Sequence, residues 1–430
     1  MSEPRIIPPL VVRHAGDAAF YWAQHDASVH SPLVDLAELR HFDRLLDAHL
    51  EGLAVAGEAG REIARQELAR WQGPGEFFVC AINAFWSGSP GEGLRALWPM
   101  LEKDPPRLMR GLISALAWTD IEHAWPFVSR WLEAEAHPPL QVAAWRAVSL
   151  IGGTALEQVA PLLRAALNSA HAPLRAAACR CAGHAATLEL LVPKLGDPAR
   201  EVRAEAAIAL AGRLSPEHAA SALWRAVTEL NAEAQALSGW PRSRALHRLS
   251  RWVRHLGLVA PLGHPGIGQL LTALPPRQAL AFALHHGDAA CLPWVAAHLD
   301  DPHVSRQAGW VWSALTGLNL EANGLARAPR VLKDDEEPRP TDDLDPGLPE
   351  PDAAAIRARP MNVPTGVAIL GGAPITPDRL TELLGNQPQA LRWIAAQRLR
   401  AFDIHFDTRA PAQRQLDELA AVRAVLAKTA

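Results

Sequence analysis

The side chains best placed to do chemistry lie on one stretch of the chain. Arg244, Arg248, Arg251 and His255 recur at i, i+4, i+7 and i+11, while Leu246, Leu249, Val253 and Leu256 recur on the opposite side. That spacing predicts a helix from Arg242 to Leu256 with a basic ridge backed by an apolar stripe. Arginine forks suit bidentate recognition of carboxylate or phosphate, so the ridge is a candidate contact for an anion or an acidic partner. A merely solvated face is the alternative. Trp240, in the Ser-Gly-Trp-Pro stretch just before, is either a second contact residue or folds back over the helices, the commoner fate of a large aromatic. A third reading is intramolecular. Residues 333–352 hold nine acidic and two basic residues, a local charge of −7, and could lie on the ridge, masking it until salt releases it.

Other chemistries find less support. The 18 His include the pair His285-His286, with Asp288 and Cys291 nearby, but neighbours on a helix diverge by roughly 100 degrees and read better as helix-end polar groups than as metal ligands. Cys80, Cys179, Cys181 and Cys291 show no C-x-x-C spacing and read as small core residues. Gly-Gly-Ala-Pro at 371–374 lacks the Lys-Ser/Thr that completes a phosphate loop, and no Gly-x-Ser-x-Gly element occurs. No catalytic residue, cofactor or metal ligand is assigned. A formal charge of −4 argues against a dedicated nucleic-acid binder.

What must position these residues is a helical repeat. Asp197-Pro-Ala-Arg-Glu-Val-Arg-Ala-Glu-Ala-Ala-Ile-Ala-Leu-Ala-Gly212 opens with a Pro at a helix start and stops at a Gly. After a short turn Ser215 is expected to cap a second helix, with Pro216 in its first position and a stripe through Ala219, Leu223, Ala226, Val227 and Leu230. The hairpin recurs around Pro106, Pro139, Pro173 and Pro198, at spacings of 33, 34 and 25 residues, and again from Asp301. A period near 34 could also mean tetratricopeptide repeats, but those place their Pro at the end of the unit, and here it opens the first helix. The run Asp-Pro-x-x-x-Val-Arg-x-x-Ala-x-x-Ala-Leu at 197–210 is similar to a HEAT repeat. Each hairpin leaves an apolar face that only a stacked neighbour can cover. The stretch Asn231–Arg244 reads as an insertion, since Ser-Gly-Trp-Pro breaks the pattern.

The fold expected is therefore all-α: a right-handed α-solenoid of HEAT-like repeats over 104–324, preceded by an N-terminal helical cap over 1–103. An acidic, Pro-rich linker at 325–362 follows, then a C-terminal helical segment over 363–430, with Thr376 capping a helix and a break at Pro411. Within the cap, helical patterns run from Leu36 to Leu53, Gly60 to Trp71, Glu76 to Ser87 and Gly93 to Leu101. Two HEAT-like enzyme types are weighed and set aside. The iron-binding deoxyhypusine hydroxylases use His-Glu dyads, and this sequence has no His-Glu dipeptide. DNA glycosylases of this fold need a basic excess that is absent, and the 15 Trp are spread along apolar stripes. No segment has the roughly 18 to 20 apolar residues of a membrane span, and the first thirty residues lack a signal-peptide core, so a cytoplasmic protein is expected.

Several segments together resemble one bacterial family of uncharacterised HEAT-repeat proteins of about this length. They are Ala-Phe-Tyr-Trp at 19–22, Ala48 to Gly60, Leu292-Pro-Trp-Val, Trp312 to Leu320, the acidic linker, and Ile369 to Pro377. The likeness spans nearly the whole chain. Some members of that family are encoded near type VI secretion genes, which implies a non-enzymatic adaptor, chaperone or immunity role toward a secreted effector or toxin. The family offers no catalytic residues to carry over. The expected activity is thus protein binding, with Trp240, Arg244, Arg248, Arg251 and His255 as candidate contacts. The alternative is a HEAT-like enzyme or a phosphate- or nucleic-acid-binding module using the Arg face.

Overall fold

The computed structural model describes residues 6–133, 136–183, 188–328, 345–360 and 363–429. Among them the chain is all-helical apart from one minimal hairpin, and no described helix is long and apolar enough to cross a membrane. The helices are α1 (Pro8–Ser28), α2 (Leu36–Val55), α3 (Gly57–Trp71), α4 (Pro74–Phe85), α5 (Pro90–Lys103), α6 (Pro105–Trp118), α7 (Ile121–Trp131), α8 (Pro138–Ile151), α9 (Gly153–Leu167) and α10 (Ala172–Ala182). After a 3-10 segment over Leu188–Gly196 come α11 (Arg200–Leu210), α12 (Pro216–Ala236), α13 (Gly239–Val259), α14 (Ile267–Ala273), α15 (Pro276–His286), α16 (Leu292–Ala297), α17 (Ser305–Thr316) and α18 (Ala353–Ala358). Strands β1 (Ile369–Leu370) and β2 (Ala373–Pro374) precede α19 (Pro377–Asn386), α20 (Gln389–Leu399) and α21 (Ala412–Thr429).

Proline sets many of the starts. Pro8, Pro74, Pro90, Pro105, Pro138, Pro216 and Pro276 each open a helix, where the missing N–H would have had no helical acceptor. Local details recur with the repeat. Arg175 Nη1 donates to the carbonyls of Ser169 and Ala170, and Arg203 Nη1 donates likewise to those of Asp197 and Pro198, six and five residues back. Asp197 and Asp301 each accept the N–H two residues on, at 2.9 and 3.0 Å. Ser215 departs from expectation: it takes a left-handed conformation with φ 49° and its side chain makes no capping bond. Pro216 alone fixes that start.

Packing groups the chain into two compact units, one of Met1–Leu191, Leu384–Ala396 and His405–Ala430, the other of Val192–Leu383 and Gln397–Ile404. In the first, α4, α6, α8 and α10 form a row in which each helix packs on the next, while α5, α7 and α9 each lie against the two row helices that flank them in sequence. The helix α4 is buried on every side through Phe77, Phe78, Val79, Cys80, Ala81 and Ile82, as befits a helix apolar all round. Its neighbours approach to backbone distance. A methyl on Gly111 of α6 would sit 2.2 Å from the Pro74 carbonyl oxygen, and one on Gly75 would sit 2.7 Å from that of Ala19 in α1.

A buried ionic latch ties the chain's far end into this unit. His25 of α1 and Asp43 of α2 meet at 2.6 Å, and the second ring nitrogen of His25 lies 3.0 Å from the Arg409 carbonyl. The other Asp43 oxygen accepts the Ala412 N–H at 2.6 Å, capping the first turn of α21 from 369 residues away in sequence. Both ring nitrogens face acceptors, so the imidazolium fits. Burial opposes that charge, but the bond and charge of Asp43, the Arg409 carbonyl and the Asp26 carboxylate outweigh it and raise the His25 pKa.

In the second unit α13, α15 and α17 form the row, flanked by α12, α14 and α16. The β1–β2 hairpin turns through Gly371 and Gly372, both at positive φ. Their N–H groups meet the Ala314 and Leu315 carbonyls at 2.7 and 2.9 Å, closing the end of α17. Gly317 has no room for a side chain there, since its methyl would fall 2.5 Å from the Gly371 oxygen. Of the stretch read as a linker, residues 329–344 and 361–362 lie outside the described residues. The rest is not extended: Leu348, Ala353 and Ile356 are buried, and Asp352 caps α18 through the Ala355 N–H.

The latch gives a pH signature. A raised His25 pKa means stability fully present below about 6.5 and lost as the pH climbs through the folded-state value. The thermal midpoint of the first unit should therefore fall on the alkaline side of that value. Asp43→Asn should cost about 3 to 5 kcal/mol and flatten the fall; a slope that survives this substitution would assign the titration to another group.

Candidate functional site

Two long helices make the candidate site. α12 and α13 have 21 residues each, whereas the other helices of the second unit have between 6 and 12. The excess length is at their junction, where every residue from Ser238 to Arg244 is exposed. The stretch read as an insertion loop is thus the end of a helical hairpin. Ser238 stands at the N-cap position, Gly239 opens α13, and Pro241 falls in its first turn, where the helix tolerates it.

Trp240 is 63% exposed at this end, so the expectation that it folds back is overturned. It makes no hydrogen bond, ring contact or cation contact with any described residue. Trp71, also exposed, instead donates to Glu67 at 3.0 Å and lies under the Arg70 guanidinium. Arg244 and Arg248 follow Trp240 at i+4 and i+8, on its own face of α13. Arg242 and Arg244 are exposed and have no ion-pair partner among the described residues. Sequence reasoning placed Arg242 in the helix without singling it out, because it lies off the ridge.

Further along, the ridge is engaged by its own protein. Arg248 Nη1 donates to Glu201 at 2.7 Å, and Arg251 forms a two-pronged bond to Glu205 at 2.5 and 2.9 Å. Glu201 and Glu205 are one turn apart on α11, so an acidic pair faces the arginine pair. His255 lies on the same face yet is buried. Burial first, then Arg251, Arg400 and His285, press its pKa well below the ordinary value against the pull of Glu205, so it is neutral. It belongs to the packed part of α13 rather than to a solvent-facing ridge. The described acidic residues of 345–352 pair elsewhere: Asp345 binds Arg277 and Glu350 binds Arg327.

The His285–Cys291 cluster serves the fold. His285 Nδ1 lies 2.6 Å from the Ala281 carbonyl and His286 Nδ1 3.2 Å from that of Gly257, while Asp288 accepts the N–H groups of Ala290 and Gly263. Among the described residues no group of three or more His, Cys, Asp or Glu side chains could hold a metal ion. The four cysteines are buried, and burial pushes the thiols of Cys80, Cys181 and Cys291 up to about 12. In the first unit a cavity of about 20 Å³, large enough for one water, is lined by Asp26, Arg110, Arg409 and Trp118. Asp26 there binds Arg110, and Ser114, His25 and Asp407 also line the cavity. A shallow groove of about 600 Å³ in the second unit runs along Val192, Leu195, His218 and Arg225. No family model, curated protein or solved structure matches the chain.

The two ion pairs should behave differently. Removing Glu201 by Glu201→Gln should cost under about 1 kcal/mol because both partners are exposed. Glu205→Gln removes the carboxylate bound to a partly buried arginine and should cost about 3 kcal/mol or more. Denaturant titrations of the two variants measure this, and equal losses would mean that burial does not separate them.

Proposed function

We propose that the chain is a non-enzymatic binding scaffold, built of HEAT-type helical hairpins, that engages another protein through the projecting end of α12 and α13. The observation that carries this reading is Trp240, an unpartnered aromatic 63% exposed beside the unpaired guanidinium groups of Arg242 and Arg244. Tryptophan and arginine are the residues most often found to dominate protein interfaces. An occupant suited to this end offers an apolar recess for the indole and carboxylates for the two arginines. The rows of helices within each unit, and the repeated arginine-to-carbonyl bonds of Arg175 and Arg203, support the stacked-repeat reading. A right-handed solenoid and a cytoplasmic setting remain part of this proposal. The family resemblance adds a candidate class of partner, a type VI effector for which the chain would be adaptor, chaperone or immunity factor.

Affinity capture of the native chain from its own host at low salt should bring down a stoichiometric protein. The pair Trp240→Ala and Arg244→Glu should abolish that capture while leaving unfolding free energy within about 0.5 kcal/mol, because neither side chain is packed. Capture that survives both substitutions would remove this end of the hairpin from the interface. Arg251 is unsuited to such a test, since its pair with Glu205 is part of the fold.

A further inference from the structure

The groove of the second unit and the projecting end of α12 and α13 complement each other in shape and charge. The groove runs between the 3-10 segment, which gives it Val192 and Leu195, and the first half of α12, which gives it His218, Ser221, Ala222 and Arg225. Val192 is exposed there, and the volume of about 600 Å³ falls within the range of sites that hold an aromatic group. Arg225, 3.9 Å from Glu229, edges the groove with a guanidinium suited to the face of an indole. Glu217 lies one turn before Ser221 on α12, exposed and without an ion-pair partner among the described residues. An apolar groove beside such a carboxylate is the counterpart of exposed Trp240 beside Arg242 and Arg244, which likewise lack an ion-pair partner among the described residues.

One chain cannot join its own two halves. From Ala222 to Ala236, the last residue of α12, the axis rises by about 21 Å at about 1.5 Å per residue. Trp240 stands at that far end, further from the groove than an indole reaches.

We infer that the partner engaged by Trp240 is a second copy of this chain, the indole of each copy seated in the groove of the other. The inference rests on the reading of Trp240 as an interface residue and names the partner it takes. Because groove and indole lie at opposite ends of one helix, a two-fold axis crossing α12 near Thr228 exchanges them. Both contacts then form at once, each copy bringing Arg242 and Arg244 toward the partner's Glu217, and the assembly closes at two chains. The face of α12 that continues from the groove allows this approach. Ser221, Arg225, Thr228 and Ala232 follow at i, i+4, i+7 and i+11, all exposed, and the two nearest the axis are small.

The test is analytical ultracentrifugation of the full chain over a wide concentration range, where the parent should reach twice the monomer mass. Trp240→Ala removes the indole and Ser221→Trp fills the groove; each should raise the dimer Kd by about thirtyfold or more. Both positions are exposed, so far-UV circular dichroism should not change. An equimolar mixture of the two variants should associate again, because an intact indole on one then meets an intact groove on the other. Were Ser221→Trp to misfold, Glu217→Arg takes its place: it should weaken the dimer, and Arg242→Glu with Arg244→Glu in the same chain should restore it. A parent that stays monomeric, a mixture no more associated than its components, or a charge reversal without rescue would each overturn the assignment. A monomeric parent that still captures a host protein through Trp240 would overturn this inference alone and leave the protein-binding reading standing. A dimer lost in Trp240→Ala, with no host protein captured, would uphold this inference and confine that reading to self-association.

Discussion

Close approach between successive row helices is the constraint on which the rest depends. Helices of 11 to 15 residues such as α6, α8, α10 and α11 are marginal alone in water, so their stability comes from neighbours. The contact faces are made of the smallest side chains: Ala143, Ala144 and Ala147 on α8, Ala177 and Ala178 on α10, Ala204 and Ala207 on α11. Where even a methyl is too large the sequence has glycine, at Gly111 against α4 and Gly257 against α15. Such seams leave little freedom for sliding, because close-packed small side chains have few other arrangements. Rigidity follows, and with it the fixed placement of the polar groups between the seams.

That constraint also explains what could be read in the sequence. The first helices of the hairpins announced themselves, since Pro at the start and an alanine or leucine every third or fourth residue leave a periodic trace. The patterns from Leu36 to Leu53 and from Glu76 to Ser87 became α2 and α4 with small shifts at their ends. Where periodicity stopped, inference failed for definite reasons. Ser-Gly-Trp-Pro breaks the repeat pattern, yet a Pro in the first helical turn is compatible with a helix, so the stretch read as an insertion contains the start of α13. His255 has the right angular position for the ridge, but a helical wheel reports direction and carries no information on depth along the axis. The bond from Asp43 to Ala412 joins residues 369 apart, and no local pattern could announce it. α1 likewise escaped notice, because its buried face mixes Ala15, Ala18 and Ala19 with His25 and yields a weak stripe.

The distribution of charge on α13 separates two environments that the sequence presented as one. Toward Trp240 the helix is surrounded by water, and its arginines can remain unpaired at little cost because the dielectric screens them. Around Arg248 and Arg251 the glutamates of α11 come within bonding distance, and the pairs become more buried inward, from Arg248 to Arg251. Further in, Arg254 has no ion pair with a described residue, so the same run of basic residues changes from solvated to paired to partly shielded and unpaired. His255 and His285 respond in the one way open to them, by staying neutral. Arginine cannot follow, because its pKa of about 10 at Arg254 still leaves it charged at neutral pH.

Arg254 is half-buried and makes no hydrogen bond or ion pair with a described residue. A leucine or methionine at 254 would remove the desolvation cost and add apolar contact, and such replacements of buried charge are often neutral or stabilising. Arg392 in the first unit shows how this protein manages an arginine retained for structure. It is fully buried, but Leu384, Gln389 and Gln415 accept its N–H groups and its cation lies over the Phe406 ring. Carbonyl and amide oxygens accept from its Nε and Nη1 without any carboxylate, while its buried Nη2 has no acceptor among the described residues. Arg254 has neither kind of acceptor among the described residues. The two arginines differ in depth: Arg392 is enclosed and tied to backbone and amide oxygens, whereas Arg254 is only partly buried, so a missing protein acceptor costs it less.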